Sequence, residues 1–316
     1  MHTSQVCKGV HMKIKVSAPG KLLLFGEHSV VYGYPCLVTA VDKRIFIEGE
    51  MIEGSEDQIF TPQVKENKFV LEAIRIIKEK FQIKKAIRIS TFGDFSHRVG
   101  LGSSSAVTVA TLKLLSELFG IEMSQKQIFD FSYEVVLNIQ KVGSGFDVAV
   151  ATFGKTIYFV KAGKVIEPIN VDNLPLMVGY SQIKADTPTL ILKVAEMHKI
   201  EKEKTEIIFQ KITALVEKAK NNIANFELVG RLMTENHQLL KELGVSTEKL
   251  DHLVEAAVDA GAWGAKLSGA GGGDCMICLV NPLKRKWVED AIIKEGGEII
   301  KVQNNAQGVI IEEKID

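Results

Sequence analysis

A glycine-rich turn that leads straight into an apolar helical pattern constrains this chain more than any other stretch. The turn reads Val-Gly-Leu-Gly-Ser-Ser-Ser-Ala over residues 99–106, and apolar residues follow at helical spacing as far as Leu118. Glycine lets a backbone approach a ligand closely, and the first N–H groups of a helix lack internal partners where the helix dipole favours negative charge. The segment is therefore typical of a phosphate-binding turn, although a capped helix start that binds nothing is equally compatible with it.

A second glycine-rich stretch, Lys-Leu-Ser-Gly-Ala-Gly-Gly-Gly-Asp, occupies residues 266–274 between a predicted helix and a predicted strand. Each glycine costs backbone entropy on folding, so four of them within 269–273 favour close approach of the backbone to a ligand over a flexible connection. The chain has no GxxxxGK[ST] motif and no Rossmann GxGxxG followed by an acidic residue. Phosphate binding would therefore use neither a P-loop nor a Rossmann dinucleotide-binding motif.

The composition excludes several classes of protein. The 316 residues suffice for one large domain or two ordinary ones, and 39 basic side chains balance 39 acidic ones. This balance argues against a general nucleic-acid or membrane-surface binder, and no apolar run approaches the ~20 residues of a membrane span. Residues 1–11 lack the apolar core of a secretion signal, and we interpret them as an extension before a natural start at Met12.

The four cysteines are too few and too scattered for a disulfide framework. Cys275 and Cys278 lie on a predicted strand, where a separation of three residues points their side chains to opposite faces. No second cysteine pair or suitably spaced histidine pair completes a zinc site. We therefore predict buried thiols in a reducing, cytoplasmic protein.

Hydrophobic periodicity predicts an α+β protein of two halves with a boundary near residues 167–174. Two short strands, 14–18 and 22–25, are expected on either side of a tight turn at Pro19-Gly20. The other predicted strands are 36–41, 44–48, 86–91, 156–160, 176–180, 275–280, 298–302 and 309–312. The predicted helices are 64–81, 107–118, 124–138, 189–198, 202–221, 227–243, 247–260 and 282–294.

A third segment, Ala-Pro-Gly-Lys-Leu-Leu-Leu-Phe-Gly-Glu-His over residues 18–28, completes a recognisable set. In their order and separations the three segments resemble the GHMP small-molecule kinases, named for galactokinase, homoserine kinase, mevalonate kinase and phosphomevalonate kinase. The resemblance runs from Met12 to the C-terminus. It implies an N-terminal ATP-binding domain of the ribosomal-S5 type over 12–170 and a ferredoxin-like domain over 171–316, with ATP and the acceptor in the cleft between them.

Within the family, most motifs resemble archaeal-type mevalonate kinases. They are Ser-Ala-Pro-Gly-Lys with Phe-Gly-Glu-His-Ser-Val-Val-Tyr-Gly over 17–33, Ala-Asp-Thr at 185–187, Asn-His-Gln-Leu-Leu at 236–240 and the run from Gly261 to Gly273. The resemblance implies ATP-dependent phosphorylation of the 5-hydroxyl of mevalonate in isoprenoid biosynthesis, by an enzyme compatible with a homodimer. The turn 141–147 and Asp274, however, look more like phosphomevalonate kinases.

Two alternatives therefore stay open. A phosphomevalonate kinase would accept a substrate with about two more negative charges, for which His97, Arg98 and Lys184 are candidate partners. A non-catalytic metabolite-binding protein on the same fold is the other alternative. The presence of both a lysine and an aspartate suited to catalysis speaks against it.

The resemblance also implies site residues. Asp147 would be the catalytic base, and Lys21 would stabilise charge on the acceptor oxygen. Asp147 could instead be a turn residue that bonds its own backbone, and Lys21 a solvated lysine after a turn, although the Pro-Gly-Lys context favours the catalytic role of Lys21. The predicted ATP-binding residues are Gly100, Leu101, Gly102, Ser103, Ser104, Ser105, Ala106, Gly271 and Gly272. The predicted acceptor-binding residues are Glu27, His28, Gly145 and Thr187, of which His28 could instead be structural and Thr187 could simply begin a helix.

Magnesium is the implied metal, with Ser103 or Ser104 as an oxygen ligand. Many mevalonate kinases place a magnesium-binding glutamate eleven residues before the aspartate, where this chain has Val136. Glu134 is nearby, but two residues along a helix it faces away by about 200°. A water, Glu134 on a changed helix, or the serines alone would have to complete the magnesium shell.

Overall fold

The computed structural model describes residues 12–62, 67–95 and 99–315. The predicted extension 1–11, the start of the helix predicted from residue 64, and His97 and Arg98 lie outside the described residues. None of the helices within the described part is both long enough and apolar enough to cross a bilayer.

The first half is built on a seven-stranded sheet with the order β11-β1-β2-β4-β3, to which β5 and β6 are added through β2. Its strands are β1 (Lys13–Phe25), β2 (Pro35–Ile52), β3 (Gln58–Phe60), β4 (Ala86–Gly93), β5 (Thr156–Val160), β6 (Val165–Pro168) and β11 (Ile310–Ile315). The predicted turn at Pro19-Gly20 is wrong, because β1 runs through it. The chain absorbs the proline as a shift in register against β2 between these two residues.

Four helices cover one face of this sheet and enclose the first core. They are α1 (Lys68–Phe81), α2 (Ser103–Leu118), α3 (Gln125–Gln140) and α4 (Phe146–Phe153). The predicted cap of α3 is confirmed, since Ser124 and Gln127 form a reciprocal capping box. Helix α4 was not predicted, because its short apolar run has no helical periodicity to distinguish it from a strand.

The second half is a four-stranded antiparallel sheet with the order β10-β7-β9-β8, covered by five helices. Its strands are β7 (Leu176–Tyr180), β8 (Gly264–Ser268), β9 (Cys275–Leu279) and β10 (Glu298–Ile300), and its helices are α5 (Thr187–Ile200), α6 (Lys202–Asn221), α7 (Phe226–Glu242), α8 (Glu248–Asp259) and α9 (Arg285–Lys294). Taken in chain order, the strands lie 4-1-3-2, which is the ferredoxin-like arrangement expected for this half. The predicted helices of this region are confirmed to within a few residues.

The two halves share a packed interface rather than a linker. Leu22 and Leu24 of β1 belong to the core of the second half, whereas Leu23 packs into the first core, as strand alternation requires. The expected domain of residues 171–316 needs one amendment, because β11 pairs with β1 in the first sheet. Asn304 supports this return by exchanging two hydrogen bonds with Leu174.

The cysteines of the described residues are buried free thiols, as predicted. Burial raises the pKa of both Cys275 and Cys278 to about 12. The thiol of Cys275 donates to the carbonyl of Val99, directly before the glycine turn.

Candidate active site

The glycine turn at 100–102 wraps around Lys21, which lies in the middle of β1. The Lys21 N–H donates to the carbonyl of Leu101 at 2.9 Å, and its Nζ donates to the carbonyl of Gly100 at 2.9 Å. A Cβ at Gly102, where φ is +78°, would lie 3.0 Å from Cγ of Lys21. The glycines therefore allow the turn to close over the lysine, which is only 8% exposed. The solvated-lysine interpretation of Lys21 is wrong.

Helix α2 begins directly after this turn. Its first internal hydrogen bond runs from the N–H of Ala106 to the carbonyl of Gly102, so the N–H groups of Ser103–Ser105 lie ahead of it. These three amides therefore have no partner within the helix, which is the arrangement that the predicted phosphate-binding turn requires. Ala106 does not belong to it, because its side chain is fully buried and its N–H is used within the helix.

Asp147 lies in the first turn of α4, after Gly145 at φ +92°. Its Oδ2 accepts a hydrogen bond from the hydroxyl of Ser105 at 2.6 Å, and its Oδ1 accepts from the N–H of Val148 at 3.0 Å. The hydrogen bond to neighbouring backbone that a turn aspartate would make is thus present. A second bond joins the same carboxylate to Ser105 of α2. Gly145 has its own reason to be glycine, since a Cβ there would lie 3.0 Å from the ring of Tyr133.

Lys21 and Asp147 are neighbours in the structure. The Nζ of Lys21 lies 5.9 Å from the centre of the Phe146 ring, beside Asp147. Burial lowers the pKa of Lys21, and the carboxylates of Asp147 and Asp274 oppose that lowering. Lys21, beside the turn that begins α2, and the partly exposed carboxylate of Asp147, in the first turn of α4, are therefore close enough to interact electrostatically.

The segment after β1 places Glu27 and His28 differently from what the sequence predicted. Glu27 is fully buried, forms an ion pair with Lys266, and accepts from Nδ2 of Asn236 at 3.0 Å. Its predicted contact with an acceptor is therefore wrong for this conformation, because solvent does not reach the carboxylate. His28, at φ +59°, places Nε2 2.9 Å from the carbonyl of Ala270, and burial lowers its pKa so that the ring is neutral at pH 7.

Two glycines of the 269–273 loop, Gly271 and Gly273, are required by the packing of the chain itself. A Cβ at Gly271 would lie 2.0 Å from the carbonyl oxygen of Val245, and a Cβ at Gly273 would lie 2.5 Å from that of Ile183. The N–H of Gly272 already donates to Val245, so the predicted role of this group in phosphate binding is wrong. The close approach that the glycines indicated is real, but at these positions it is to protein backbone.

Thr187 is the first residue of α5 and is exposed, while Asp186 caps the helix by accepting from the N–H of Thr189.

Val136 faces the turn at Gly143, since a Cβ added to Gly143 would lie 3.7 Å from Cγ1 of Val136. Glu134, on the other side of α3, is exposed, so the helix turns it away from the turn that leads to Asp147. Glu134 is therefore not placed to bind a magnesium ion beside Asp147.

Three contacts of the site were not predicted. Lys266 and Asn236 lie inside segments that the sequence analysis singled out, but nothing there assigned them to Glu27. A lysine within an apolar strand pattern is the signal that would have found this pair. Ser268 braces β1 by bonding both the N–H and the carbonyl of Leu23.

Comparison with known proteins agrees with this geometry. A family model described as "GHMP kinases N terminal domain" matches residues 68–155, and one described as "GHMP kinases C terminal" matches residues 212–298. A mevalonate kinase of Pyrococcus furiosus is 38% identical, with 96% of this chain and 100% of that protein covered. A mevalonate kinase of Thermococcus sibiricus is 36% identical, with 96% and 99% covered.

Solved structures give the same result. The crystal structure of Methanococcus jannaschii mevalonate kinase matches with a TM-score of 0.80 at 28% identity, and the match covers 95% of this chain and 100% of that one. The motifs, the two sheets and the relatives therefore agree from Met12 onward: the chain belongs to the GHMP kinase family.

Proposed function

We propose that this protein transfers the γ-phosphoryl group of ATP to the 5-hydroxyl of mevalonate, giving 5-phosphomevalonate. The observation that carries this proposal is the buried Lys21, tied to the carbonyl of Gly100 just before α2 and placed near Asp147 at the start of α4. The relatives named mevalonate kinase, at 36–38% identity over nearly the whole chain, support mevalonate as the acceptor.

Phosphoryl transfer depends mainly on positioning and on neutralising charge. The free amides of Ser103–Ser105 and the dipole of α2 would bind the nucleotide phosphates. The Lys21 ammonium would stabilise negative charge on the acceptor oxygen. Asp147 would accept the proton of the acceptor hydroxyl, and Ser105 holds its carboxylate in place for that role.

The residues present suit a magnesium ion that arrives with ATP. Within residues 12–62, 67–95 and 99–315 no group of three His, Cys, Asp or Glu side chains is arranged to hold a metal on its own. Mg²⁺ usually keeps several waters and takes few protein ligands besides substrate phosphates. Ser104, partly exposed at the start of α2, would supply one oxygen, and the ion would neutralise charge on the transferred group.

The acceptor would lie along His28 and near Thr187. His28 is fixed by donating its Nε2–H to the carbonyl of Ala270, and Nδ1 of the neutral ring can then accept one hydrogen bond without adding charge. Glu27 would act indirectly by fixing the backbone before His28.

An assay that couples ADP release to NADH oxidation tests the proposal, with mevalonate, 5-phosphomevalonate, homoserine and galactose compared at equal concentrations. We expect ADP release to depend on mevalonate and the product to carry one phosphate. Preference for 5-phosphomevalonate would overturn the acceptor assignment. Nucleotide binding without release of ADP for any acceptor would overturn catalysis and favour a metabolite-binding protein.

A further inference from the structure

Asp274 occupies a backbone conformation that glycine usually takes. Its φ is +54°, and it directly follows Gly271, Gly272 and Gly273, all of which have positive φ. Such a conformation is unfavourable for a residue with a Cβ and persists where surrounding contacts hold it. Asp274 is also largely buried.

Asp274 makes three hydrogen bonds to one loop, residues 181–185, which joins β7 to α5. Its N–H donates to the carbonyl of Ile183 at 2.7 Å, and its carbonyl accepts from the N–H of Ser181 at 2.8 Å. Its carboxylate Oδ1 accepts from the N–H of Ala185 at 3.1 Å. The side chain therefore adds the bond that holds the far end of the loop.

The same carboxylate packs against the glycine turn. A Cβ at Gly100 would lie 2.7 Å from Oδ2 of Asp274, so this turn residue and the carboxylate are in direct contact. Gly100 is also the residue whose carbonyl accepts from Lys21. The charged groups facing Asp274 are Lys184, whose Nζ lies 4.0 Å from Oδ1, and Lys21.

The loop that Asp274 holds leads directly to Asp186 and Thr187 at the start of α5. Helix α5 has one fully buried side chain, Val194, and is otherwise exposed or half-buried. At its first turns it packs through Leu190 against Gly272. Because α5 has so little core of its own, its position depends on contacts at its N-terminal end.

We propose that Asp274 is a positioning residue that fixes the 181–185 loop, and through it Thr187, against the Gly100 turn. This inference rests on the proposed function, because it assigns Thr187 a place beside the transferred phosphate or the acceptor. Asparagine at position 274 keeps an oxygen for the N–H of Ala185 and tolerates positive φ. Glycine keeps the backbone conformation and removes the side-chain bond.

Asp274→Asn and Asp274→Gly are therefore a matched pair, because both residue types tolerate the positive φ of this position. Hydrogen exchange measured by mass spectrometry on peptides that cover residues 181–190 needs no substrate. We expect Asp274→Gly to speed exchange there about tenfold, as loss of one buried hydrogen bond does, while Asp274→Asn stays near wild type. Peptides from α7 serve as the internal control. Equal exchange in all three proteins would overturn the proposal.

Kinetics test whether Asp274 acts on the reaction through the placement of Thr187. We expect Asp274→Gly to lower kcat with mevalonate about tenfold, with recovery in Asp274→Asn. In a double-mutant cycle, Asp274→Gly should add little to Thr187→Ala, because both changes remove the same placement. Additive losses of kcat in the double variant, or equal losses of kcat in Asp274→Gly and Asp274→Asn, would overturn the proposal that Asp274 positions Thr187. If wild type phosphorylates no acceptor, the proposed function fails, and the exchange experiment still decides whether Asp274 holds the loop.

Discussion

Glu27 and Lys266 form an ion pair to which solvent has no access. Both side chains are fully buried, and the pair joins the segment just after β1 of the first sheet to β8 of the second. Lys266 also donates to the carbonyl of Leu267 at 2.6 Å, and burial lowers its pKa. A buried charge is tolerated only when it is paired, so each of these side chains requires its partner in the other half of the molecule.

Removing one partner of this pair should cost more than removing both. We expect Glu27→Gln to lower the free energy of unfolding by about 3–5 kcal/mol, because it leaves the Lys266 cation buried without its carboxylate. The double variant Glu27→Gln with Lys266→Met removes both charges at similar volume and should recover most of that loss. Urea unfolding followed by circular dichroism measures both. A double variant less stable than the single one would show that the attraction itself stabilises the fold.

Much of the fold and part of the site could be predicted from the sequence. Helix α3 and the helices of the second half follow from hydrophobic periodicity and caps, such as Ser124. The convergence of Lys21 and Asp147 followed from the family motifs. Local patterns carry this kind of information because helix faces and turn chemistry are encoded over a few residues.

The remaining features depend on contacts between distant segments. The burial of Glu27 depends on Lys266, 239 residues away, and no local pattern reports that pairing. The glycines at 271–273 indicated close approach but not its partner, which is the protein's own backbone. The last strand, β11, returns to β1 because of pairing across almost the whole chain.

Asp147 can be tested by a change that preserves its shape. We expect Asp147→Asn to bind ATP normally and to lower kcat by about 10²–10⁴, because an amide cannot accept the hydroxyl proton. Steady-state ADP release and nucleotide titration by fluorescence measure the two effects. Ser105→Ala is the control, since it leaves the carboxylate in place and removes only the bond that orients it. Its loss should be smaller, and unchanged turnover in Asp147→Asn would remove this residue from the base role.

Ser104 should matter for the metal rather than for the fold. We expect Ser104→Ala to raise the magnesium concentration required for half-maximal rate, because one oxygen ligand is lost while the helix start is kept. Rates measured over a series of magnesium concentrations at fixed ATP give this value. Ser103→Ala tests the alternative ligand in the same way, and an identical magnesium requirement in Ser104→Ala would show that the Ser104 hydroxyl is not a ligand.

Lys21 should set an alkaline limit on activity. Burial lowers its pKa below the ordinary 10.5, so the ammonium loses its proton as pH rises through that lowered value. We therefore expect kcat/KM for mevalonate to fall at alkaline pH, since this ratio reports ionisation of the free enzyme. Lys21→Arg stays charged and should move the fall to higher pH, even if its rate is lower. A fall at the same pH in both proteins would assign it to another group.

His237 should make the protein sensitive to acid. It is buried in α7, its Nδ1 accepts from the N–H of Leu267 at 3.3 Å, and its Nε2 lies 3.0 Å from Oδ1 of Asp251. The ring is therefore neutral, and protonation would break the bond to Leu267. Burial lowers the pKa of His237 from 6.5 to about 4.

The unfolded chain binds this proton more tightly than the folded one, so stability falls as the pH drops from about 6.5 to about 4. We expect His237 to account for a loss of about 3 kcal/mol across that window. His237→Gln cannot be protonated and should be less stable at pH 7 but less dependent on pH below 6.5. Urea unfolding at pH 7.5, 6, 5 and 4.5 gives the free energy of unfolding of wild type and His237→Gln as a function of pH. An equal dependence on pH in the two proteins would show that other groups cause the acid sensitivity.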